Sequence, residues 1–268
     1  MGAHATTPHD GNATAALSPE RVSALSDLLL RLADDELVIG HRNSEWTGLG
    51  PILEADIAFS SMAQDEIGHA QAYYRLLADL GHLPPDRMAF LREATEFRCA
   101  SLVSLPRGDW AFSIVRQFLY DAAEHVRIEA LATSSYAPLA ALARKISGEE
   151  KYHLLHGRTW MMKLGSATEE SHRRMQAAVN ELVPHALGLF EPTPQDPAIV
   201  RLGIQPPESL LAAEWHRAVE PVVREAGLTM PRDPKPAYGG RAGRHPPALS
   251  ELVAAMQKVF RMDPAAQW

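Results

Sequence analysis

The sequence predicts an all-α fold, a four-helix bundle with extra C-terminal helices, and three observations predict it. Apolar residues recur at alternating three- and four-residue steps in four long stretches, the spacing of a buried helix face. The first two such seams are Val22, Leu25, Leu29, Leu32, Glu36, Ile39 and then Ile52, Ala55, Phe59, Met62, Glu66, His69, Tyr73, Leu76, Leu80. The other two are Ile114, Gln117, Asp121, Glu124, Ile128, Leu131 and Leu139, Ala143, Ile146, Glu150, His153, Gly157, Trp160, Leu164. Each seam is interrupted midway by acid, and the second and fourth add a histidine three residues later. Caps and breakers fall where those stretches should begin and end.

Taken in order, the first helix has Ser18 as cap and Pro19 at its first position, and runs to about Asn43. Trp46 to Pro51 breaks the pattern. The second helix spans Pro51 to the Leu80-Gly81 stop, about 45 Å at 1.5 Å per residue. Residues 82–108 contain Pro84-Pro85 and close on Pro106-Arg107-Gly108, which predicts a long connection with two short helices, able to cross the bundle. Asp109 caps a third helix to about Tyr136, and Pro138 opens a fourth that ends at Leu164-Gly165.

Glu124 to Tyr136 and Pro138 to Glu150 are each 12 residues, which puts both acids about 18 Å from the turn, at one level. The first hairpin is uneven: 7 residues from Glu36 to Asn43, against 15 from Pro51 to Glu66. Either its loop doubles back or a boundary shifts. A fifth helix runs to about Phe190 with a kink at Pro184, a Pro-rich loop follows, and a sixth spans about Pro207 to Ala226. Residues 227–247 are Pro- and Gly-rich and irregular, and a last helix covers about Ala248 to Phe260. Residues 1–17, small and polar, predict a disordered tail. The rest, 18–268, is one helical domain, with the core bundle over about 18–165 and a C-terminal extension over about 166–268.

A Glu and a His three apart lie on one helix face about a turn from each other, so both reach one metal ion. The bare pattern is weak, since Glu169 and His172 repeat it in the first turn of the fifth helix, where acids suit the helix dipole and no seam precedes them. Position carries the argument: a carboxylate in an apolar seam is costly unless paired, protonated or bound to metal. Glu36, Glu66, His69, Glu124, Glu150 and His153 on four helices make the ligand set of a ferritin-like dinuclear carboxylate site. Asp121 shares its seam with Glu124 and competes for the role; the common level with Glu150 favours Glu124. Glu66 and Glu150 are expected to bridge two metals, with Glu36 and Glu124 as outer ligands; Asp65 and Glu149 directly precede the bridging pair and are expected to orient the imidazoles, with solvated acids as the plain alternative. His125 and His156 fall off the spacing. Oxygen-rich ligands with two imidazoles suit iron, or manganese, over copper or a closed zinc site.

Composition narrows the function. With 268 residues, 46% hydrophobic and 22% charged, and no apolar run long enough to span a bilayer, a globular chain off the membrane is expected. A formal charge of -7 argues against nucleic acid. One cysteine, Cys99, excludes a disulfide framework and cysteine-rich metal sites and fits a reducing cytoplasm. The N-terminus lacks the basic start and apolar stretch of a secretory signal, and nothing beside Gly2 to Thr6 supports the myristoylation pattern found there.

Five stretches carry a family resemblance: RLADDELVIGHRNSEWTG (31–48), DEIGHAQAYYRLLADLG (65–81), EKYHLLHGRTW (150–160), AYGGRAGRHPPALSELVAAMQ (237–257) and the terminal QW. On these the chain resembles the C subunit of the ring-epoxidising phenylacetyl-CoA oxygenase of aerobic phenylacetate degradation. The resemblance implies a ferritin-like fold and pairing with a related catalytic A subunit that holds the working di-iron site. It also implies phenylacetyl-CoA bound by the complex, and electrons from NAD(P)H delivered through a separate reductase. Isolated, such a chain is expected as a homo-oligomer. C subunits of this family are regarded as scaffolds without the ligand set, whereas all six positions are filled here. The resemblance implies scaffold; the residues imply metal. Arg232, Lys235, Arg241 and Arg244 would then meet the phosphates of coenzyme A or an acidic partner, with a solvated linker as the plain alternative. Other classes are a self-sufficient di-iron or di-manganese oxidase, a storage ferritin, a radical-bearing reductase component using Tyr73 or Tyr120, and a metal-free interaction protein.

Overall fold

The computed structural model describes residues 17–266, with ten α-helices and no strand among them. The expected tail and myristoylation pattern, apart from Leu17, and the terminal Gln267-Trp268 lie outside the described residues. The first helix, α1, spans Pro19–Ser44; Ser18 Oγ accepts the Arg21 N–H at 3.2 Å, as the cap requires. Helix α2 spans Leu53–Asp79 and gives way to Gly81 at φ 97°. The loop between them does double back: Thr47 Oγ1 lies 2.9 Å from Ser60 Oγ, and Gly50 N–H donates to Asp56 Oδ2 at 3.0 Å. A Cβ on Gly50 would stand 2.8 Å from the Asp56 backbone, so the fold-back needs glycine there.

The long connection holds α3 (Pro85–Phe90), a 3-10 turn at Ala94–Glu96 and α4 (Ser101–Ser104). Helix α5, capped by Asp109, spans Trp110–Leu131 and ends five residues short of the expected Tyr136. Thr133, Ser134 and Ser135 explain the early stop. Hydroxyls bond nearby backbone, as Thr133 Oγ1 does to the Ala130 carbonyl at 3.0 Å, and Ser135 N–H goes to Gly203 O at 2.9 Å. Helix α6 spans Ala137–Ala167 and runs straight through the expected stop at Gly165. That glycine serves packing: a Cβ on it would lie 2.3 Å from the Ala226 carbonyl oxygen.

The extension adds α7 (Glu169–Ala186), a 3-10 turn at Leu187–Phe190, α8 (Asp196–Arg201), α9 (Glu208–Glu225), α10 (Pro247–Gln257) and a 3-10 turn at Phe260–Met262. Helix α8 lies where a Pro-rich loop is expected. It forms because Asp196 accepts the Thr193 N–H at 2.9 Å, and its Ala198 and Ile199 are buried.

Helix α1 packs on α2, α5 on α6 and α2 on α6, which gives the four-helix bundle of the ferritin-like class. Helices α7 and α9 cover α5 and α6, and α8 covers α1. The covering matters for function. Every residue from 31 to 40 and from 113 to 124 is buried, so the acids on α1 and α5 sit in the deepest part of the molecule.

One expectation is corrected here. Arg241 is not at the surface: it is 7% exposed and bonded to Asp35 of α1 at 2.7 and 2.9 Å, with further bonds to the carbonyls of Arg98 and Leu189. The reason lies in the glycines. A Cβ on Gly240 would meet the Cys99 carbonyl at 2.3 Å, and Gly239 and Gly243 take φ of +128° and +75°. Those glycines let the loop press into the bundle and carry Arg241 inside. Arg232, Lys235 and Arg244 stay exposed.

Candidate metal centre

Helices α1, α2, α5 and α6 each bring one turn to the same depth. Glu36 and Ile39 continue the α1 seam, and Gly40 lets α2 come close: a Cβ there would be 2.9 Å from Ile67 and 3.1 Å from Glu66 Cβ. The result is a cluster of Glu36, Glu66, Asp121, Glu124, Glu150, His69 and His153, none more than 3% exposed. Glu36, Glu66, His69 and Glu150 each bring one donor atom within 4.8 Å of the others, and Glu66, Asp121 and His153 form a second such group. Glu66 belongs to both. Two adjacent cation positions that share a carboxylate follow from that arrangement.

The imidazoles face the carboxylates through Nδ1. His69 Nδ1 stands 3.2 Å from Glu150 Oε1 and 3.7 Å from both Glu36 and Glu66; His153 Nδ1 stands 3.6 Å from Glu66 and 3.7 Å from Glu150. Their other nitrogens face outward to acids. His69 Nε2 is 2.7 Å from Glu149 Oε2, and His153 Nε2 is 3.2 Å from Asp65 Oδ2. The pairing crosses between helices: Asp65 of α2 holds the α6 histidine, and Glu149 of α6 holds the α2 histidine. Sequence spacing alone suggests partners on the same helix.

Asp121 and Glu124 separate in the structure. Gln117 donates to Asp121 Oδ1 at 2.6 Å and to Glu66 Oε1 at 3.2 Å, which fixes the Asp121 carboxylate beside Glu66. Glu124 Oε1 lies 3.8 Å from Arg127 Nε, and Arg127 is itself held by Glu208 at 3.0 Å. Glu124 is therefore in the cluster but outside both tight groups. Tyr73 and Tyr120 are fully buried nearby, with hydroxyls that have no partner.

The donor set fits a pair of cations. Both oxygens of Glu36 and Glu150, Glu66 Oε2, Asp121 Oδ2, Glu124 Oε2 and Nδ1 of both histidines are buried without a hydrogen-bond partner. Buried polar atoms are rarely left so, and here they converge. Without cations the cluster must hold protons instead. Burial and then the neighbouring Glu66 push Glu36 well up, the same two causes raise Asp121 and Glu150, and burial raises Glu124 to about 8. Glu66 alone goes down, to about 2, because His153 and His69 outweigh its burial. Both histidines are raised: burial opposes it, and the facing carboxylates prevail.

Three other histidines near the bundle helices make contacts outside the cluster. His156 accepts from Trp160, His125 stands 3.5 Å from Glu129, and His172 Nδ1 lies 2.8 Å from the Gly165 carbonyl. Among the described residues, no helix is long and apolar enough to cross a membrane.

Comparison with known proteins follows the same line. The family model described as phenylacetic acid catabolic protein matches residues 9–268. The chain is 34% identical over 248 residues to the C subunit of the 1,2-phenylacetyl-CoA epoxidase of Escherichia coli K12, covering 92% of this chain and 100% of that one. It is also 29% identical over 160 residues to the A subunit of the same enzyme, over 60% of this chain and 52% of that one. With an all-helical bundle matched almost end to end, the chain belongs to the phenylacetic acid catabolic protein family.

Proposed function

We propose that this protein acts in phenylacetate catabolism as the C-type component of a multicomponent oxygenase that epoxidises the ring of phenylacetyl-CoA. It pairs with a related A-type component and keeps a dinuclear metal centre of its own. The observation that carries the metal reading is the convergence of partnerless, buried donors on Glu36, Glu66, Asp121, Glu150, His69 and His153. Full-length similarity to the C subunit of the epoxidase, with partial similarity to its A subunit, supports the pairing.

Glu36, Glu66, His69 and Glu150 would hold one cation, and Glu66, shared between the two, would hold the second with Asp121 and His153. Glu124, 3.8 Å from Arg127, would stand beside the pair. Iron is the metal these ligands suit best, with manganese the alternative. Such a pair, when bound, supplies reductive activation of dioxygen. Asp65 and Glu149 fix the imidazole tautomers, so that Nδ1 of each ring is free to ligate. The bundle excludes water from the cluster. Electrons come from NAD(P)H through a separate reductase, and the complex works in the cytoplasm. Arg232, Lys235 and Arg244 are the exposed cations available for coenzyme A phosphates or for a partner surface.

The test is production of the chain with and without its A-type partner, in iron-rich medium. Co-purification with that partner is expected, as is iron bound by this chain alone. A chain that binds iron but turns over phenylacetyl-CoA with reductase and without the partner would replace this reading by that of a self-sufficient oxygenase.

A further inference from the structure

The metal-facing seam of α6 does not end at His153. Gly157, the next seam position, lies against α5, where a Cβ would be 3.1 Å from Phe118 Cα and 3.5 Å from Asp121 Oδ2. Trp160 follows within a turn. Its Nε1–H donates to His156 Nε2 at 3.1 Å, which leaves His156 with its proton on Nδ1. Trp160 packs edge-on against Trp110 at 5.4 Å, and Trp110 meets Trp46 at 4.9 Å. Three of the chain's five tryptophans thus gather at one end of a metal-ligand seam. Both Trp160 and Trp110 are half-buried, and Trp160 stands two turns, about 10 Å along the helix, beyond His153.

Indole gives up an electron without its proton more readily than phenol does, the buried Tyr73 and Tyr120 hydroxyls have no partner to take a proton, and electron transfer falls off steeply with distance, so edge-packed indoles near an oxidising centre can conduct. We propose that Trp160 and Trp110 form a path by which oxidising equivalents leave the metal centre for the surface, with His156 as the proton acceptor of Trp160. The proposal rests on the metal reading above. Dioxygen is the oxidant. When no organic substrate uses the oxidised metal pair, it takes one electron from the Trp160 indole, and the Nε1 proton moves along the existing hydrogen bond to His156 Nε2. The products are a neutral indolyl radical and an imidazolium. Trp110, whose Nε1 is buried without a partner, returns an electron to Trp160 and keeps its own proton as an indole radical cation, while His156 gives its proton back to Trp160. A one-electron reductant in solution, such as ascorbate, then restores Trp110.

Trp46 is not part of the path. The Arg107 guanidinium carbon stands 4.6 Å from its ring centroid, and a cation there makes removal of an electron harder. Lys163 lies 5.5 Å from the Trp160 ring, but Trp160 sheds its proton and stays neutral. The path therefore stops at Trp110, and Trp46 serves as an internal control.

The full-length protein, loaded with ferrous iron and assayed for iron content, is mixed with dioxygen without substrate, frozen at intervals and read by electron paramagnetic resonance. A transient indolyl signal is expected, quenched by ascorbate. Trp160→Phe is expected to lose at least nine-tenths of it and to accumulate oxidised Tyr73 or Tyr120 by mass spectrometry; Trp46→Phe leaves the signal as in the wild type. Trp110→Phe provides a second variant should Trp160→Phe misfold, and is expected to prolong the Trp160 radical. Iron-loaded wild type with no indolyl signal, or with a signal that both variants leave unchanged, overturns the path and leaves the metal centre standing. A chain that binds no iron overturns the metal reading, and the path with it.

Discussion

At the scale of residues, the two histidines matter most through what holds them. Glu149 and Asp65 are partly exposed, yet each is bonded to the outer nitrogen of a buried imidazole on the opposite helix. Partners of this kind typically change metal affinity by about 10- to 100-fold. Glu149→Gln and Asp65→Asn should each weaken iron binding by that order in competition with a chelator, with the thermal unfolding of the metal-free protein little changed. Asp121→Asn should cost one of two bound metals, and Glu124→Gln less; elemental analysis of each variant separates the two. Seam spacing is enough to find Glu36, Glu66, His69, Glu150 and His153. The choice between Asp121 and Glu124 is not legible in the sequence, because it depends on Gln117 clamping one and Arg127 drawing off the other. Arg127 is held there by Glu208, 81 residues away in sequence, with Gln205 and the Leu189 carbonyl.

At the scale of elements, boundaries are legible where a cap or positive-φ glycine sets them, as at Ser18, Asp109 and Gly81. They are missed where tertiary contact decides. Gly165 looks like a stop and is a contact point between α6 and α9; Gly165→Ala should therefore destabilise by about 1–3 kcal/mol in chemical unfolding, through overpacking rather than backbone freedom. Asp35→Ala leaves Arg241 as an unpaired buried cation and should cost about 3–5 kcal/mol. Glu208 joins α9 to α1 and α5 through Arg31 and Arg127. Burial raises its pKa, but the two arginines outweigh burial and hold it below its ordinary 4.5. The folded state thus binds fewer protons at this site than the unfolded state. Its stabilisation is present above pH 4.5 and is lost as pH falls through the depressed value. Glu208→Gln should be less stable than wild type by urea unfolding at pH 7, and the difference should shrink on acidification below that range.

At the scale of the whole molecule, a four-helix bundle supplies the ligands and a C-terminal extension supplies their cover. Residues 31–40 and 113–124 would be half-exposed in a bare bundle; α7, α8, α9 and the inserted Arg241 loop bury them on the far side. The extension is legible as helices, but its role is not. Nothing in the pattern of residues 227–247 says that the loop enters the core, since that follows from close backbone contact at Gly240 and not from hydropathy. The same depth makes the acidic cluster shed its charge, since Arg127 is the fixed cation beside Glu124: either protons on Glu36, Asp121, Glu124, Glu150 and both histidines, or bound cations, do so. The most direct test is the iron content of the full-length chain, produced in iron-rich medium without other components. The account predicts about two irons per chain, falling to one or none in Glu66→Ala; a chain that carries no metal, and whose Glu66→Ala variant is as stable or more stable, would contradict it.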